Sequence, residues 1–500
     1  MSSLPELRAE RIEKLSRIRS LGIDPYPAVS NRDSAIGVIR DAFETLNGHE
    51  ATVDGRIFAI REHGPLTFID IRDETGSIQL YIKSDTLEKL SVEKQTLGFS
   101  ELRLLDIGDF IEGKGVVTKT KRGELSVELT SLRLLAKSLR PLPDKHDGLK
   151  DAETIFRRRY LDLAINPESR ALFDRKILFW EAHREFMKNN GFTEVQIPVL
   201  ELITGGADAR PFVTHHNALD QEYYLRISLE LNLKRLIGGG YEKVYALGPV
   251  FRNEGIDDEH LQEYTMIEWY WAYANYRDNM RLAQECFRYV AQAVYGKTEF
   301  TRGEYTFDLA GPWQEIDYVA SIKKAFGIDV FTANEEEMQK IIEENGINLA
   351  EGAITRARLV DNLWKIIRKT IAGPAFLVGE PKFMSPLAKS SAENSEITER
   401  FHIILAGSEL ANAYSELNDP LDQLERFKEQ QTARDAGDEE SQMLDIDFVE
   451  MLEYGMPPVS GYGHSERLFA FLENLSVREA TLFPQMRAKL DDATREIYGL

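Results

Sequence analysis

One cysteine, Cys286, serves all 500 residues. A disulfide framework and a cysteine-built zinc site within the chain are thereby excluded, and a reducing cytoplasm is the expected compartment. No apolar run reaches the ~18 residues that a membrane helix needs. The opening stretch, MSSLPELRAERIEKLSRIRS, lacks an apolar core and alternates in charge sign, so no signal peptide is expected. Neither GxxxxGK[ST] nor GxGxxG occurs, which removes two common phosphate-cradling loops. Internal repeats and low-complexity tracts are absent as well. Basic charge is scarce: 61 Lys and Arg face 83 Asp and Glu, a net charge of −22. That opposes nucleic-acid binding over the whole surface, because phosphate contacts are made by Lys and Arg. The shortage is local, however. Residues 1–150 hold 23 basic and 24 acidic side chains, so almost all the excess acid lies beyond them.

What is present falls into two textures, as expected for a chain too long for one core. From Leu7 to about Leu21 apolar residues recur at helical spacing, and LGIDPYPAVSN closes that helix. The segments ATVDGRIFAIR, PLTFIDIRD, GSIQLYIKS, DFIEGKGVVTKT and GELSVELTSLRLL then alternate with period two. This predicts a helical extension over 1–48 and a five-stranded OB-type barrel over 49–140. Such a barrel can bind oligonucleotides on one face; a purely structural β-domain suits the pattern equally well. LRPLPDKHDGLKD predicts a linker over 141–151. The remainder, 152–500, mixes strands and helices without βαβ regularity. It opens on a long helix at about 167–190, groups strands near 245–275, 305–310, 400–418 and 459–463, and reads as α+β with a helical insertion at about 330–372.

Four stretches of this second part could carry chemistry. VFRNEGIDDEHLQEYTMIEWYW (250–271) sets Arg252 across an acidic loop from Glu268, which sits among large apolar residues. RISLELNLKRL (226–236) opens a helix on Glu230, and FHIILAGSELANAYSELND (401–419) carries Glu409, Asn412, Tyr414 and Glu416. Glu409 and Glu416 can share one site only if the strand bulges between them. GYGHSER (461–467) reads as a glycine-rich entry to a helix, able to hold a phosphate with backbone N–H groups and Arg467. Each stretch alone is better read as a solvated edge, a structural ion pair, a dipole partner or a turn. Together they offer guanidinium groups for oxyanions and inward acids for a cation.

The ordered strings GIDPYP, RRRYLDL, LITGGADARPF, THHNALD, YLRI, FRNEG, SPLAK, ANAYSELND and GMPP resemble the class II lysyl-tRNA synthetases over essentially the whole chain. The resemblance implies an enzyme that joins lysine to ATP, releases pyrophosphate from lysyl-adenylate, and passes lysine to the 3′ end of its tRNA. Magnesium, ATP, lysine and tRNA(Lys) are the implied cofactor and partners, in a homodimer built by the long helix and GFTEVQIP. By the same resemblance Arg252 meets the α-phosphate and the lysine carboxylate, and Arg467 clamps the γ-phosphate. Glu254, His260 and Tyr264 belong to the ATP subsite. Gly206, Glu230, Glu268, Tyr270, Asn412 and Glu416 form the lysine subsite, with Glu268 on the α-amino group and Glu230 and Glu416 on the ε-ammonium. On the barrel, Arg61, Phe68 and Gln79 match residues that read anticodon bases.

The sequence departs from the family pattern in several places. His402 stands where a metal-binding Glu is usual, beside the retained Glu409, so the implied magnesium ligands are Glu409 and His402. GYGHSER is one residue short, with His464-Ser465 in place of the last glycine, and Ala413 replaces a glycine; both are expected to crowd the nucleotide or alter its loop. Glu259 replaces an arginine. The competing readings are an aspartyl or asparaginyl ligase, opposed by Glu230, Glu416 and SPLAK; a non-catalytic RNA-binding relative, opposed by Arg252 and Arg467; and a ligase acting on protein, opposed by the barrel.

Overall fold

Alternation between residues 50 and 136 closes into a barrel. Its strands are β1 (Glu50–His63), β2 (Leu66–Arg72), β3 (Ser77–Lys83), β4 (Phe110–Lys119) and β5 (Leu125–Ala136), in the order β1-β2-β3-β5-β4. Ile57, Ile69, Ile71, Ile78, Leu80, Ile82, Val127 and Leu129 fill the interior, and the residues between them face outward. The chain is seen in a computed structural model that describes residues 3–143, 149–255, 257, 260–347, 355–437 and 440–500. Helix α1 (Leu4–Ser20) is started by a reciprocal Ser3–Glu6 capping box and buries Ile18 in the barrel's core.

By contact the chain divides into two units. The first unit holds Met1–Ile155, Tyr160–Ile165 and also Arg487–Leu500. The C-terminal segment belongs with the N-terminal one because Arg140 donates to Thr494 Oγ1 (3.2 Å) and both Arg8 and Arg140 stack over Tyr498. No local pattern announces that long-range return.

The second unit, Phe156–Arg159 with Asn166–Met486, is built on an eight-stranded sheet. In chain order its strands are β6 (Thr193–Glu194), β7 (Lys243–Phe251), β8 (Glu263–Ala272), β9 (Gln314–Asp317), β10 (Ala375–Val378), β11 (Arg400–Leu405), β12 (Ser408–Ser415) and β13 (Val459–Ser465). Across the sheet they run β9-β10-β11-β12-β13-β8-β7-β6. Helices α2 (Pro167–Asn189) and α4 (Tyr276–Tyr295) cover one face, burying Phe179, Phe186, Phe287 and Val290 with Ile267, Trp269, Ala411, Ala413 and Tyr462 of the central strands. Between them in sequence, α3 (Glu230–Gly238) packs Leu233 and Ile237 with Val244, Ala246, Tyr270 and Tyr414 on the opposite face. A third cluster joins α5 (Tyr318–Phe326), α6 (Glu335–Glu344) and α7 (Arg356–Arg368) to β9 and β10.

Candidate active site

Register alone gathers most of the polar residues. Glu268 on β8 pairs with Gly463 on β13, Gly463 with Asn412 on β12, and Asn412 with His402 on β11. Two residues along each strand lies a second row: Tyr270, Gly461, Tyr414 and Arg400. Period two places both rows on one face of the sheet. At the middle of each row stands a glycine, and the lack of a side chain there makes the cleft. A Cβ on residue 461 would lie 2.3 Å from Glu416 Oε1 and from the Tyr270 ring, and one on residue 463 would lie 3.1 Å from Glu268 Cγ.

This corrects the phosphate-loop reading of GYGHSER. The stretch is strand β13, bonded on both sides, so its N–H groups serve the ladder rather than a ligand. A six-residue helix, α8 (Arg467–Leu472), follows it. The side chains of His464 and Ala413 point to the far face, although His464 still borders the larger part of the cleft: Ala413 is buried in the core, and His464 Nε2 meets His183 Nε2 at 3.0 Å. The bulge that Glu409 and Glu416 require is present at Leu410, between the pairs Ile403–Ala411 and Ile404–Glu409.

The cleft has two connected parts. The smaller, about 190 Å³, is lined by Gly206, Glu230, Arg252, Glu268, Tyr270 and Asn412, together with Ser228, Arg400 and Tyr414, which sequence reasoning gave no role. Gly206 is required here: its φ is +86°, and a Cβ would come within 2.8 Å of Glu230 Cβ and Ser228 Oγ. Glu268 Oε1 accepts from Ser228 Oγ (2.8 Å) and Leu229 N (2.9 Å), and Tyr270 donates to Oε2 (3.2 Å). Burial, reinforced by the negative Glu230 nearby, still pushes the Glu268 carboxyl up to about 7. The Tyr414 hydroxyl lies 2.7 Å from both oxygens of Glu230.

Glu230 and Glu416 do not wait as free acids. Lys234, one turn along α3 and fully buried, sets its Nζ 2.8 Å from Glu230 Oε1 and 2.5 Å from Glu416 Oε2. Glu416 does not line the cavity and stands behind it against Gly461. Lysine at the i+4 position of an amphipathic helix reads as a surface residue, so the sequence offered no signal for this pairing.

The larger part, about 370 Å³, is lined by Arg252, Glu254, His260, Tyr264, His402, Glu409 and Arg467, with Arg368 and Arg400. It shares Arg252, Met266, Arg400, Asn412 and Gly463 with the smaller part. Arg252 sits where the two join, its Nε donating to Ile227 O (3.3 Å) and its guanidinium 5.6 Å from the Tyr264 ring centroid. His260 Nδ1 lies 2.7 Å from Asp257 Oδ2, and Arg467 donates to Glu409 O (3.3 Å). Glu259 lies outside the described residues.

The His402–Glu409 pair does not present a magnesium cage. His402 Nε2 is held by Glu380 Oε2 at 2.5 Å, while Glu409 Oε1 accepts from Trp364 Nε1 (2.6 Å) and lies 3.5 Å from Arg368. Trp364 and Arg368 come from α7, so the segment read as an insertion contributes to the site. Glu380 is buried and would prefer to be neutral, yet Arg400 and His402 beside it hold its carboxyl down to about 2. Magnesium requires oxygen ligands in octahedral array. Here one carboxylate already engaged by two donors, and a ring nitrogen engaged by another, fail that test; among the described residues no His/Cys/Asp/Glu group arranged for a metal is found.

In the first unit Arg61, Phe68 and Gln79 line one hollow with Tyr81, Lys83, Lys119, Lys121 and Arg122. Phe68 stacks on Tyr81, ring centroids 5.1 Å apart and nearly parallel. Arg61 is locked by two 2.7 Å bonds to Asp70, and Gln79 Oε1 accepts from Ser126 Oγ.

Comparison with known proteins comes down on the same division. The signature described as tRNA synthetases class II (D, K and N) matches residues 151–487, and that of the OB-fold nucleic acid binding domain matches 51–135. The lysine–tRNA ligase of Moorella thermoacetica is 44% identical, the match covering 97% of this chain and 98% of that protein. Those of Fervidobacterium nodosum (41%, covering 98% and 95%) and Halalkalibacterium halodurans (42%, covering 98% and 99%) are similarly alike.

Proposed function

Because the chain belongs to the class II tRNA synthetases (D, K and N), we infer its reaction from that membership together with the cleft. It is a lysine–tRNA ligase: it activates lysine with ATP, releases pyrophosphate, and transfers lysine from the adenylate to the 3′ end of tRNA. The observation that carries the choice of amino acid is the pair of buried carboxylates Glu230 and Glu268, lining a small cavity that Arg252 also lines, with a third buried acid, Glu416, directly behind its Gly461 wall. A substrate with two ammonium groups and one carboxylate complements that arrangement. Aspartate and asparagine bring no side-chain cation and would leave buried acids unpaired, at a cost of several kcal/mol.

Arg252 joins the two parts of the cleft and is placed to hold the lysine carboxylate against the α-phosphate. A carboxylate oxygen then forms the new bond to the α-phosphorus while the α–β bridging bond breaks and pyrophosphate leaves. Positioning and charge neutralisation supply the rate, with no protein nucleophile. Arg467, Arg368 and His260 line the part that takes the triphosphate, and Tyr264 offers a ring to the adenine. Magnesium would have to come with ATP, since among the described residues Glu409 and His402 are already engaged by Trp364, Arg368 and Glu380. On the barrel, Phe68 stacked with Tyr81 provides a platform for anticodon bases, with Gln79 and Arg61 at its edge. The enzyme works as a homodimer in the cytoplasm; the exposed apolar side chains Ile177, Leu178, Val199, Leu200 and Leu202 on α2 and just beyond it suit burial against a second copy. Pyrophosphate exchange into ATP, run with each of the twenty amino acids, is expected to respond to lysine. Exchange with aspartate or asparagine and none with lysine would overturn the assignment.

A further inference from the structure

The Lys234 ammonium is fully buried and has two carboxylates for neighbours. Its Nζ lies 2.8 Å from Glu230 and 2.5 Å from Glu416, with the Tyr414 and Phe448 rings 5.9 and 5.4 Å away. Desolvation alone would discharge it, but the attraction of Glu230 and Glu416 outweighs burial and keeps its affinity for the proton raised. Three carboxylates converge on this end of the pocket: Glu230 from α3, Glu268 from β8 and Glu416 from beyond β12. Tyr270 and Tyr414 face them and are held protonated by burial and by those same acids. Arg400 is matched by Glu380, and Asp208 at the pocket wall is exposed. Further out Glu201 is pushed up to about 8 by burial, and Arg226 spends its guanidinium on the carbonyls of Pro249, Ile197 and Pro198. The inner count is therefore three negative groups against one positive. Oε1 of Glu416 has no hydrogen-bond partner among the described residues and lies behind Gly461, which lines the cavity.

Resting on the assignment above, we propose that Lys234 is a positioning residue that sets the charge of the amino-acid pocket: by neutralising one of three buried carboxylates it leaves two, one for each ammonium of the substrate. It also holds Glu230 and Glu416 from behind, so that both acids are ordered before lysine enters and neither collapses onto the other's position. In the free enzyme the acids share protons as a unit, Glu268 and Glu416 both being pushed upward by burial and by the negative Glu230 beside them. Lysine displaces those protons with ammonium groups that stay.

The test is lysine binding measured calorimetrically on the full-length wild type and on Glu416→Gln, Lys234→Met and the double variant. Each single change miscounts the charge, leaving one net negative group or three. Each is expected to weaken lysine roughly a hundredfold or more. The double variant restores two net negative groups and is expected to bind lysine at least tenfold better than either single variant. A double variant as weak as the weaker single, the result for a merely structural lysine, overturns the proposal. Should the Lys234 variants fail to fold, wild-type titrations in two buffers of different ionisation enthalpy decide the matter. Release of roughly one to two protons per lysine near pH 7, vanishing by pH 9, is expected; no release at pH 7 overturns the charge count. Wild-type exchange that responds to lysine alongside either negative result leaves the assignment standing and removes only Lys234's role, whereas absent exchange removes the assignment itself.

Discussion

Gly461 shows how one missing side chain makes a pocket. Its neighbours across the sheet, Tyr270 and Tyr414, are large, and the carboxylate of Glu416 occupies the space a Cβ would need. Gly461→Ala is expected to keep the fold, because the backbone is ordinary strand, and to raise the KM for lysine in pyrophosphate exchange at least tenfold. Unchanged KM would mean that the acid behind it is not part of the lysine subsite. Glu268 gives the pH dependence. Its folded pKa of about 7 lies above the ~4.3 of an unfolded glutamate, so its contribution to stability is fully present at acid pH and is lost as pH rises through 7. In the proposed lysine complex a bound ammonium replaces that proton. The increase in Tm caused by saturating lysine is therefore expected to grow from pH 6 to pH 8; an increase that is flat or shrinks over that range would contradict it.

At the level of elements, the packing of α2 on β13 depends on a buried pair of neutral histidines. His183 Nδ1 lies 2.7 Å from Phe179 O and is therefore its donor, which leaves Nε2 to accept from His464 Nε2. His464 Nδ1 is then a bare acceptor without a partner among the described residues. Burial holds His183 down to about 4 and His464 well below its usual value. Folded pKa values below the unfolded ~6.5 mean that stability is present above pH 6.5 and is lost as pH falls toward 4, by up to ~1.4 kcal/mol per pH unit for each histidine. Urea unfolding of wild type is expected to show a steeper loss over that interval than His464→Gln. Equal slopes would remove the pair from the acid response. This interface also shows where local pattern misleads: glycines two apart read as a loop, yet they occupy the site-facing positions of a central strand whose other positions, Tyr462 and His464, are core. The barrel strands and the first helix were legible from their periods. The α7 contribution to the site was not, since nothing local in Trp364 or Arg368 points to Glu409.

Across the whole molecule, charge is partitioned. The chain carries a net charge of −22, whereas the hollow on the barrel gathers Lys83, Lys119, Lys121 and Arg122 around the Phe68–Tyr81 stack, with Asp70, Glu124 and Glu128 among them; this is the surface proposed above for tRNA. Raising salt from 50 to 200 mM is expected to raise the KM for tRNA in aminoacylation while leaving lysine-dependent exchange nearly unchanged. Phe68→Ala should likewise lower tRNA charging alone; equal losses in both assays would detach the barrel from tRNA. The sequence by itself determined the α+β class, the barrel, the long helix and, through its ordered strings, the family, from whose resemblance the expected site residues came. The elements follow from short-range periodicity, and the family from side-chain identities that survive any change of neighbour. Only the tertiary structure decided which charges are already spent. Lys234 lies between two acids, Glu380 holds His402, and the last segment returns to the first unit, because ion pairing and burial depend on which distant residues the fold brings within a few ångströms.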